Sequence, residues 1–192
     1  EEEARQWFKK MEDGDKSTLL LWKFFKEISM ESFKEIYKKL GIRFDSYEGE
    51  SMYNKKSREI IKELESKNLI KRSREALIID LNKWGFENAM IEKSDGTTLY
   101  ITRDIAAAIE RQKKYRFDLM LYEVGQEQKL HFKQLFKILE LMGYKWARNC
   151  IHVEHGLYLD SKGKKFSTRK GKTVFLEEIL EKTKSLAEKE IK

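Results

Sequence analysis

The stretch DLMLYEVGQEQKLHFKQLFKILELM, residues 118–142, decides the fold class of this 192-residue chain. Five of its first seven residues are apolar or aromatic, which favours a strand, and Gly125 separates them from a segment with helical spacing. The same order recurs on both sides, where TTLYI (97–101) precedes RDIAAAIERQKK and CIHVEHGLYL (150–159) precedes a last helix from about Leu176. Strands that alternate with helices in this way predict an α/β fold, with a parallel sheet and helices on its faces.

The N-terminal part of the chain has a different pattern, dominated by helices. The predicted elements there are helices at 1–12, 16–40 and 54–68, strands at 42–47 and 76–81, and a hairpin at 89–101 that turns at Asp95-Gly96. Ser29 is predicted as an N-cap within the second helical stretch, and Gly41 as a left-handed C-terminal cap. We therefore expect a mostly helical segment over residues 1–75 and an α/β domain over residues 76–192.

Composition narrows the class of protein. Charged residues make up 38% of the chain, and no apolar run approaches the roughly 18–20 residues that cross a bilayer. The opening EEEARQWF is acidic, unlike the basic start of a secretory signal, and the single cysteine, Cys150, excludes an internal disulfide and favours a small core residue. These features predict a cytoplasmic protein that does not enter membranes. A net charge of +7 favours an anionic partner, but only weakly.

The loop DSKGKKFSTRKGKT, residues 160–173, carries six basic side chains after Asp160. A solvated surface loop is one interpretation of such a run. A P-loop is excluded because Phe166 stands where that motif needs glycine, and Phe166 is also the one aromatic residue available to stack on RNA bases. The functional interpretation is a loop whose cations and hydroxyls close over a polyphosphate and stabilise charge during phosphoryl or nucleotidyl transfer.

Polar residues also follow the predicted strands, at the edge where open parallel sheets bind ligands. Tyr100 and Asp104, four residues apart, suit a guanidinium or an ammonium group through hydrogen bonds and cation–π contact, although an acid in a first helical turn is common. Gln128 and His131 share one face of the next helix, as ordinary amphipathic helices also allow. The strand positions of His152 and His155 point to opposite faces, so this pair does not predict a metal site.

Three ordered segments of the chain resemble the class I arginyl-tRNA synthetases. They are SDGTTLYITRDIAAAIER, VGQEQKLHFKQLFKILELMGY and GKKFSTRKGKTVFLEEIL, and the similarity continues from about Phe44 to the C-terminus. The resemblance implies the C-terminal half of a Rossmann-type catalytic domain, preceded by a helical insertion that contains a hairpin. It also implies an enzyme that joins L-arginine to tRNA(Arg) through an arginyl-adenylate, with ATP and Mg²⁺ and without a metal site of its own.

The resemblance also implies residue roles. Tyr100, Asp104 and Gln128 match the family residues that hold the substrate arginine, and the segment KFSTR matches the family's mobile KMSKS loop. In that loop Thr168 stands at the second lysine of the general signature, and Arg169 or Lys170 supplies the charge. The implied catalytic residues of the loop are Lys165, Ser167, Thr168, Arg169 and Lys170. The residues implied to lie near ATP are Gly125, His131, Val153 and Phe166.

The chain also departs from the family pattern. A His-x-Gly-His motif, the other signature of class I synthetases, does not occur in it, and HVEH (152–155) is no substitute. We therefore expect a piece of a longer enzyme that is inactive in adenylate formation by itself. Two alternatives remain open: a stand-alone, non-catalytic module that binds arginine, a nucleotide or RNA, and an unrelated nucleotide-binding domain in which Asp104 is only a helix-start acid.

Overall fold

The computed structural model of the chain describes residues 2–157, 159, 163 and 174–191. The helices are α1 (Glu2–Glu12), α2 (Lys16–Lys39), α3 (Ser57–Ser66), α4 (Tyr100–Tyr115), α5 (Lys129–Leu141) and α6 (Leu176–Glu190). The strands are β1 (Lys71–Ser73), β2 (Ala76–Ile79), β3 (Ala89–Glu92), β4 (Met120–Gly125) and β5 (Cys150–His155). Short 3₁₀ helices lie at Glu50–Lys56, Asn82–Trp84, Gln126–Gln128 and Lys145–Asn149.

The chain divides into two compact units. One consists of Glu48–Lys165, and the other combines Glu1–Tyr47 with Phe166–Lys192. The sequence predicts a different boundary, between a helical segment over residues 1–75 and an α/β domain over residues 76–192. That boundary stays a prediction.

Strands β4 and β5 form the parallel pair that the sequence predicts. Their register runs from Met120 opposite Cys150 to Gly125 opposite His155, and α5 is the crossover between them. Parallel strands need such a crossover, so the order of apolar strand, Gly125 and helix in residues 118–142 produces this arrangement. The α/β fold class is therefore confirmed, and the carboxyl ends of both strands meet at one edge.

A second, antiparallel sheet has the strand order β1-β2-β3. After β3 the chain turns as predicted, with Gly96 at φ +79° and the amide of Lys93 donating to the carbonyl of Thr97. The returning arm makes one isolated bridge, between Glu92 and Thr98, and then enters α4 at Tyr100. The prediction of a strand over residues 97–101 was therefore wrong, although the turn is confirmed.

Two other predictions, both for residues 1–47, were wrong. Ser29 lies inside the continuous helix α2, where its hydroxyl donates to the carbonyl of Phe25 at 2.8 Å rather than capping a helix start. Residues 42–47 form no strand; instead the rings of Phe44 and Tyr47 pack against Tyr37, at centroid distances of 4.9 and 6.3 Å. The predicted break before α2 is confirmed by Asp15, whose carboxylate caps the amide of Thr18.

The core of the Glu48–Lys165 unit joins α3, α4 and α5 to both sheets. Its least exposed large side chains are Leu64, Ile79, Leu81, Ile91, Ile105, Leu135, Ile138 and Leu139. Each such side chain stabilises the fold by roughly 1.5–3 kcal/mol relative to its exposed state. In the middle of α4, Ala106, Ala107 and Ala108 are 1%, 3% and 0% exposed, so this helix is covered on several sides at once.

In the described part of the chain, no helix is both long enough and apolar enough to cross a bilayer.

Candidate functional site

The candidate site is built on the first two turns of α4. Thr102, which is fully buried, donates its hydroxyl to the carbonyl of Ile91 at 2.9 Å and so fastens the start of α4 to β3. Tyr100 is the first residue of the helix and Asp104 the fifth, so their side chains share a face one turn apart. The expectation that Tyr100 ends a strand and that Asp104 lies in the first turn was therefore wrong, because the helix begins earlier.

Helix α5 contributes His131 to the same place. Its Nε2 lies 2.8 Å from Oδ2 of Asp104, and its ring centroid lies 4.8 Å from that of Tyr100. His131 is 8% exposed, whereas the Asp104 side chain is 36% exposed and the Tyr100 residue 53%. The structure thus brings together three predicted site residues, with the histidine enclosed and the carboxylate and phenol open to a ligand.

Two aromatic rings, those of Phe132 and His152, extend the ring contacts from His131 towards β5 and form a column of rings. Phe132, 5% exposed, lies with its ring 5.2 Å from His131 and 4.5 Å from His152 on β5. His152 in turn donates from Nε2 to the carbonyl of Val124 at 2.9 Å, which anchors the column to the parallel sheet. His155 lies on the opposite face of β5, where its Nδ1 is 2.5 Å from Glu123, so the two histidines diverge as predicted.

The pKa of the Tyr122 phenol, on β4, depends on burial and on charged side chains of α4. Burial raises the pKa of its phenol well above the usual value, the Arg111 guanidinium acts to lower this pKa, and the Asp104 carboxylate acts to raise it. The phenol therefore stays neutral throughout the physiological pH range.

Other predicted site residues lie near the carboxyl edge of the parallel strands without joining the trio. Gly125 is buried at the end of β4, where an added Cβ would lie 2.3 Å from the Glu127 carboxylate. Gln128 is exposed at the end of the following 3₁₀ turn, and within the described part of the chain no hydrogen bond joins it to Tyr100, Asp104 or His131. Val153 is 38% exposed on the face of β5 opposite His152.

Apart from Gly163, the basic loop lies outside the described residues. This applies to the predicted catalytic side chains Lys165, Ser167, Thr168, Arg169 and Lys170 and to Phe166. Among the described residues, no three His, Cys, Asp or Glu side chains converge in a way that could hold a metal ion.

Sequence reasoning missed the supporting residues Thr102 and Phe132. Thr102 is a polar residue amid the apolar positions of α4, and such an inward-facing hydroxyl is a signal for a buried hydrogen bond. Phe132 gives no comparable signal, because an aromatic residue next to a histidine is ordinary on an apolar helix face.

Cys150 is buried at the start of β5, as predicted for a small core residue. Burial raises the pKa of its thiol to about 11 from 9.0. Because the thiolate is the reactive form, alkylation by iodoacetamide at pH 8 should be about 100-fold slower in the folded chain than in urea. Since the folded-state pKa is raised, the stability linked to this thiol is complete below pH 9 and is lost as the pH rises towards 11.

The alkylation rate can be followed by mass spectrometry, and the chain's single cysteine makes the signal specific. Equal rates in buffer and in urea would contradict the enclosed position of Cys150.

Comparison with known proteins places these features in a family. The family model described as tRNA synthetases class I (R), catalytic domain, matches residues 1–192. The arginine–tRNA ligase of Halothermothrix orenii is 52% identical over 192 residues, which cover 98% of this chain and 34% of the relative. The arginine–tRNA ligase of Pediococcus pentosaceus is 52% identical over 188 residues, covering 98% of this chain and 33% of the relative.

Two solved structures share the fold. The arginyl-tRNA synthetase of Plasmodium falciparum aligns with a TM-score of 0.70 and 23% identity, over 77% of this chain and 26% of that chain. A putative arginyl-tRNA synthetase of Campylobacter jejuni aligns with a TM-score of 0.64 and 18% identity, over 86% of this chain and 37% of that chain.

These matches agree with the class of domain that the parallel strands and the α4–α5 site define. The chain belongs to the class I arginyl-tRNA synthetase family, within its catalytic domain. It spans about one third of the length of the curated relatives it matches.

Proposed function

We propose that this chain supplies the arginine-binding part of the catalytic domain of an arginine–tRNA ligase. Such an enzyme activates L-arginine with ATP to arginyl-adenylate and transfers the arginyl group to tRNA(Arg). The observation that carries the proposal is the convergence of Tyr100, Asp104 and His131 at the junction of α4 and α5. Family membership supports the reaction, and the chemistry of these three side chains supports the amino acid.

The trio suits a guanidinium group in particular. One oxygen of Asp104 is engaged by His131, and the carboxylate remains 36% exposed, so it can accept further hydrogen bonds from a ligand. The exposed ring of Tyr100, one helical turn away, offers a face for cation–π contact with the same ligand. A planar guanidinium can use a carboxylate and a ring face together, whereas the ammonium of lysine is a compact point charge.

The other predicted residues divide between the two substrates. Gln128 keeps its assignment to arginine, which comes from the resemblance, and the rest belong to the ATP side of the proposal. Gly125 and Val153 lie at or near the carboxyl end of the parallel strands, where open α/β sheets bind ligands. The resemblance assigns Gly125, Val153 and Phe166 to the adenosine, and it assigns Lys165, Ser167, Thr168, Arg169 and Lys170 to the phosphates. Mg²⁺ would enter with ATP as part of the co-substrate. The proposed setting is the cytoplasm, which suits a single reduced cysteine.

These 192 residues by themselves should bind arginine without activating it. The His-x-Gly-His motif, which contributes to ATP binding in class I synthetases, does not occur among them. Titration calorimetry should therefore detect L-arginine and not L-lysine at the same concentration. Arginine-dependent exchange between ATP and pyrophosphate should stay at the level of a sample without protein.

The two assays test separate parts of the proposal. A chain that binds neither amino acid, or both equally, would show that α4 and α5 do not form an arginine site. Robust exchange activity would instead show that the missing motif is not needed.

A further inference from the structure

We propose that His131 is a positioning residue that fixes the carboxylate plane of Asp104 for the arginine side chain. The inference rests on the proposed function and assigns His131 a role on the arginine side of the site. Its basis is the 2.8 Å contact between Nε2 of His131 and Oδ2 of Asp104, which joins residues 27 positions apart in the sequence.

The contact defines which histidine nitrogen carries a proton. An ionised carboxylate only accepts hydrogen bonds, so Nε2 of His131 must be the donor. Within the described part of the chain, His131 is the one residue that hydrogen-bonds the Asp104 side chain. Without this donor, the torsions of Asp104 would be restrained only by packing, and the carboxylate is 36% exposed.

His131 is well placed to act as a rigid donor. It is 8% exposed, with the Tyr100 ring 4.8 Å away on one side and the Phe132 ring 5.2 Å away on another. Phe132 is fixed in turn by its contacts with His152 and Tyr122, at 4.5 and 4.9 Å. The orientation of the imidazole is therefore set by the core of the unit before any ligand arrives.

The contact with His131 gives the two oxygens of the Asp104 carboxylate different roles. Oδ2 is held by His131, which leaves Oδ1 and the second lone pair of Oδ2 for the ligand. A guanidinium binds a carboxylate best when both groups lie in one plane, so a fixed plane favours arginine. A point-charge ammonium depends less on that plane, so loss of His131 should harm arginine binding more than lysine binding.

Two substitutions of similar polarity separate the donor from the ring. In His131→Gln the amide nitrogen reaches about as far from Cβ as Nε2, so it can still donate to Asp104. In His131→Asn the amide nitrogen corresponds to Nδ1 and falls short of the carboxylate. Calorimetric titration with L-arginine should give a dissociation constant within about 3-fold of wild type for Gln and at least about 10-fold weaker for Asn.

The outcomes distinguish this inference from the proposed function. Failure of the wild-type chain to bind arginine would overturn the proposed function and, with it, this inference. Arginine binding that is equally strong in His131→Asn, or equally weak in both variants, would leave the arginine site standing and overturn the positioning role. Arginine binding that is retained in His131→Gln and weakened in His131→Asn supports both the proposed function and the positioning role.

A second measurement keeps the test decisive if either variant fails to fold, which thermal unfolding of each variant would reveal. The side-chain ¹⁵N spectrum of His131 in the wild-type chain should show the Nε2–H tautomer, and Asp104→Asn should increase the population of the other tautomer. A dominant Nδ1–H form in the wild-type chain would contradict the donor role of Nε2, independently of arginine.

Discussion

Replacement of Asp104 by asparagine is expected to weaken L-arginine binding by at least about 100-fold, the largest functional effect of any single substitution in the described site. Asparagine keeps the size of the side chain but removes the charge, and its amide group adds a donor. Whichever way the amide points, that donor faces either the Nε2–H of His131 or the guanidinium, which are donors themselves. Titration calorimetry on the purified chain measures the change directly.

The matched control for this substitution is Asp118→Asn. Asp118 is an exposed aspartate of the same unit, in the connection between α4 and β4. Its replacement should leave arginine affinity within about 2-fold, because one distant surface charge is largely screened. If both substitutions weakened binding alike, the loss at Asp104 would reflect net charge rather than a specific contact.

Replacement of Leu139 by alanine should lower the free energy of unfolding by about 2–5 kcal/mol. Leu139 lies on α5 with no exposed surface, so its truncation leaves a cavity between this helix and the rest of the core. The effect is large relative to the 5–15 kcal/mol that typically stabilises a domain. Urea unfolding followed by far-ultraviolet circular dichroism gives the change.

Leu130→Ala is the corresponding control on the same helix. Leu130 is 41% exposed, so its truncation removes less buried surface and should lower the free energy of unfolding by less than about 1 kcal/mol. Similar losses for the two variants would mean that burial along α5 is more even than the structure shows.

The parallel strands and their crossover helix were predictable because each has a strong local signal. An apolar run, Gly125 and an uninterrupted helical period identify β4 and α5, and Gly143 marks the helix end. The observed α5, Lys129–Leu141, differs from the predicted helix only at its ends. The start of α6 at Leu176 is likewise confirmed, because the apolar periodicity begins there.

The start of α4 was not predictable from local preference. Residues 97–101 are rich in threonine and aromatic or branched residues, which favour strands. Leu99 occupies the N-cap and offers no side-chain cap to any described residue, so the usual signature of a helix start is missing. What fixes the start is tertiary, namely the bond from the buried Thr102 to Ile91.

The composition of the candidate site was predictable only in part. The resemblance pointed to Tyr100 and Asp104, and it separated them from His131, which it placed near ATP. Their proximity depends on how α4 packs against α5, and no periodicity in the sequence encodes that packing. Gln128, predicted beside Tyr100 and Asp104, remains a prediction because nothing in the described structure tests its contact with a ligand.

The three buried alanines of α4 affect the thermodynamics of recognition. Ala106, Ala107 and Ala108 allow neighbouring elements to approach the helix closely, and no long side chain there can change rotamer to let it rotate. The face that carries Tyr100 and Asp104 is therefore ordered when the chain folds. Arginine would meet a preorganised surface and lose little affinity to conformational entropy, so its binding should depend mainly on the enthalpy of charge-assisted hydrogen bonds.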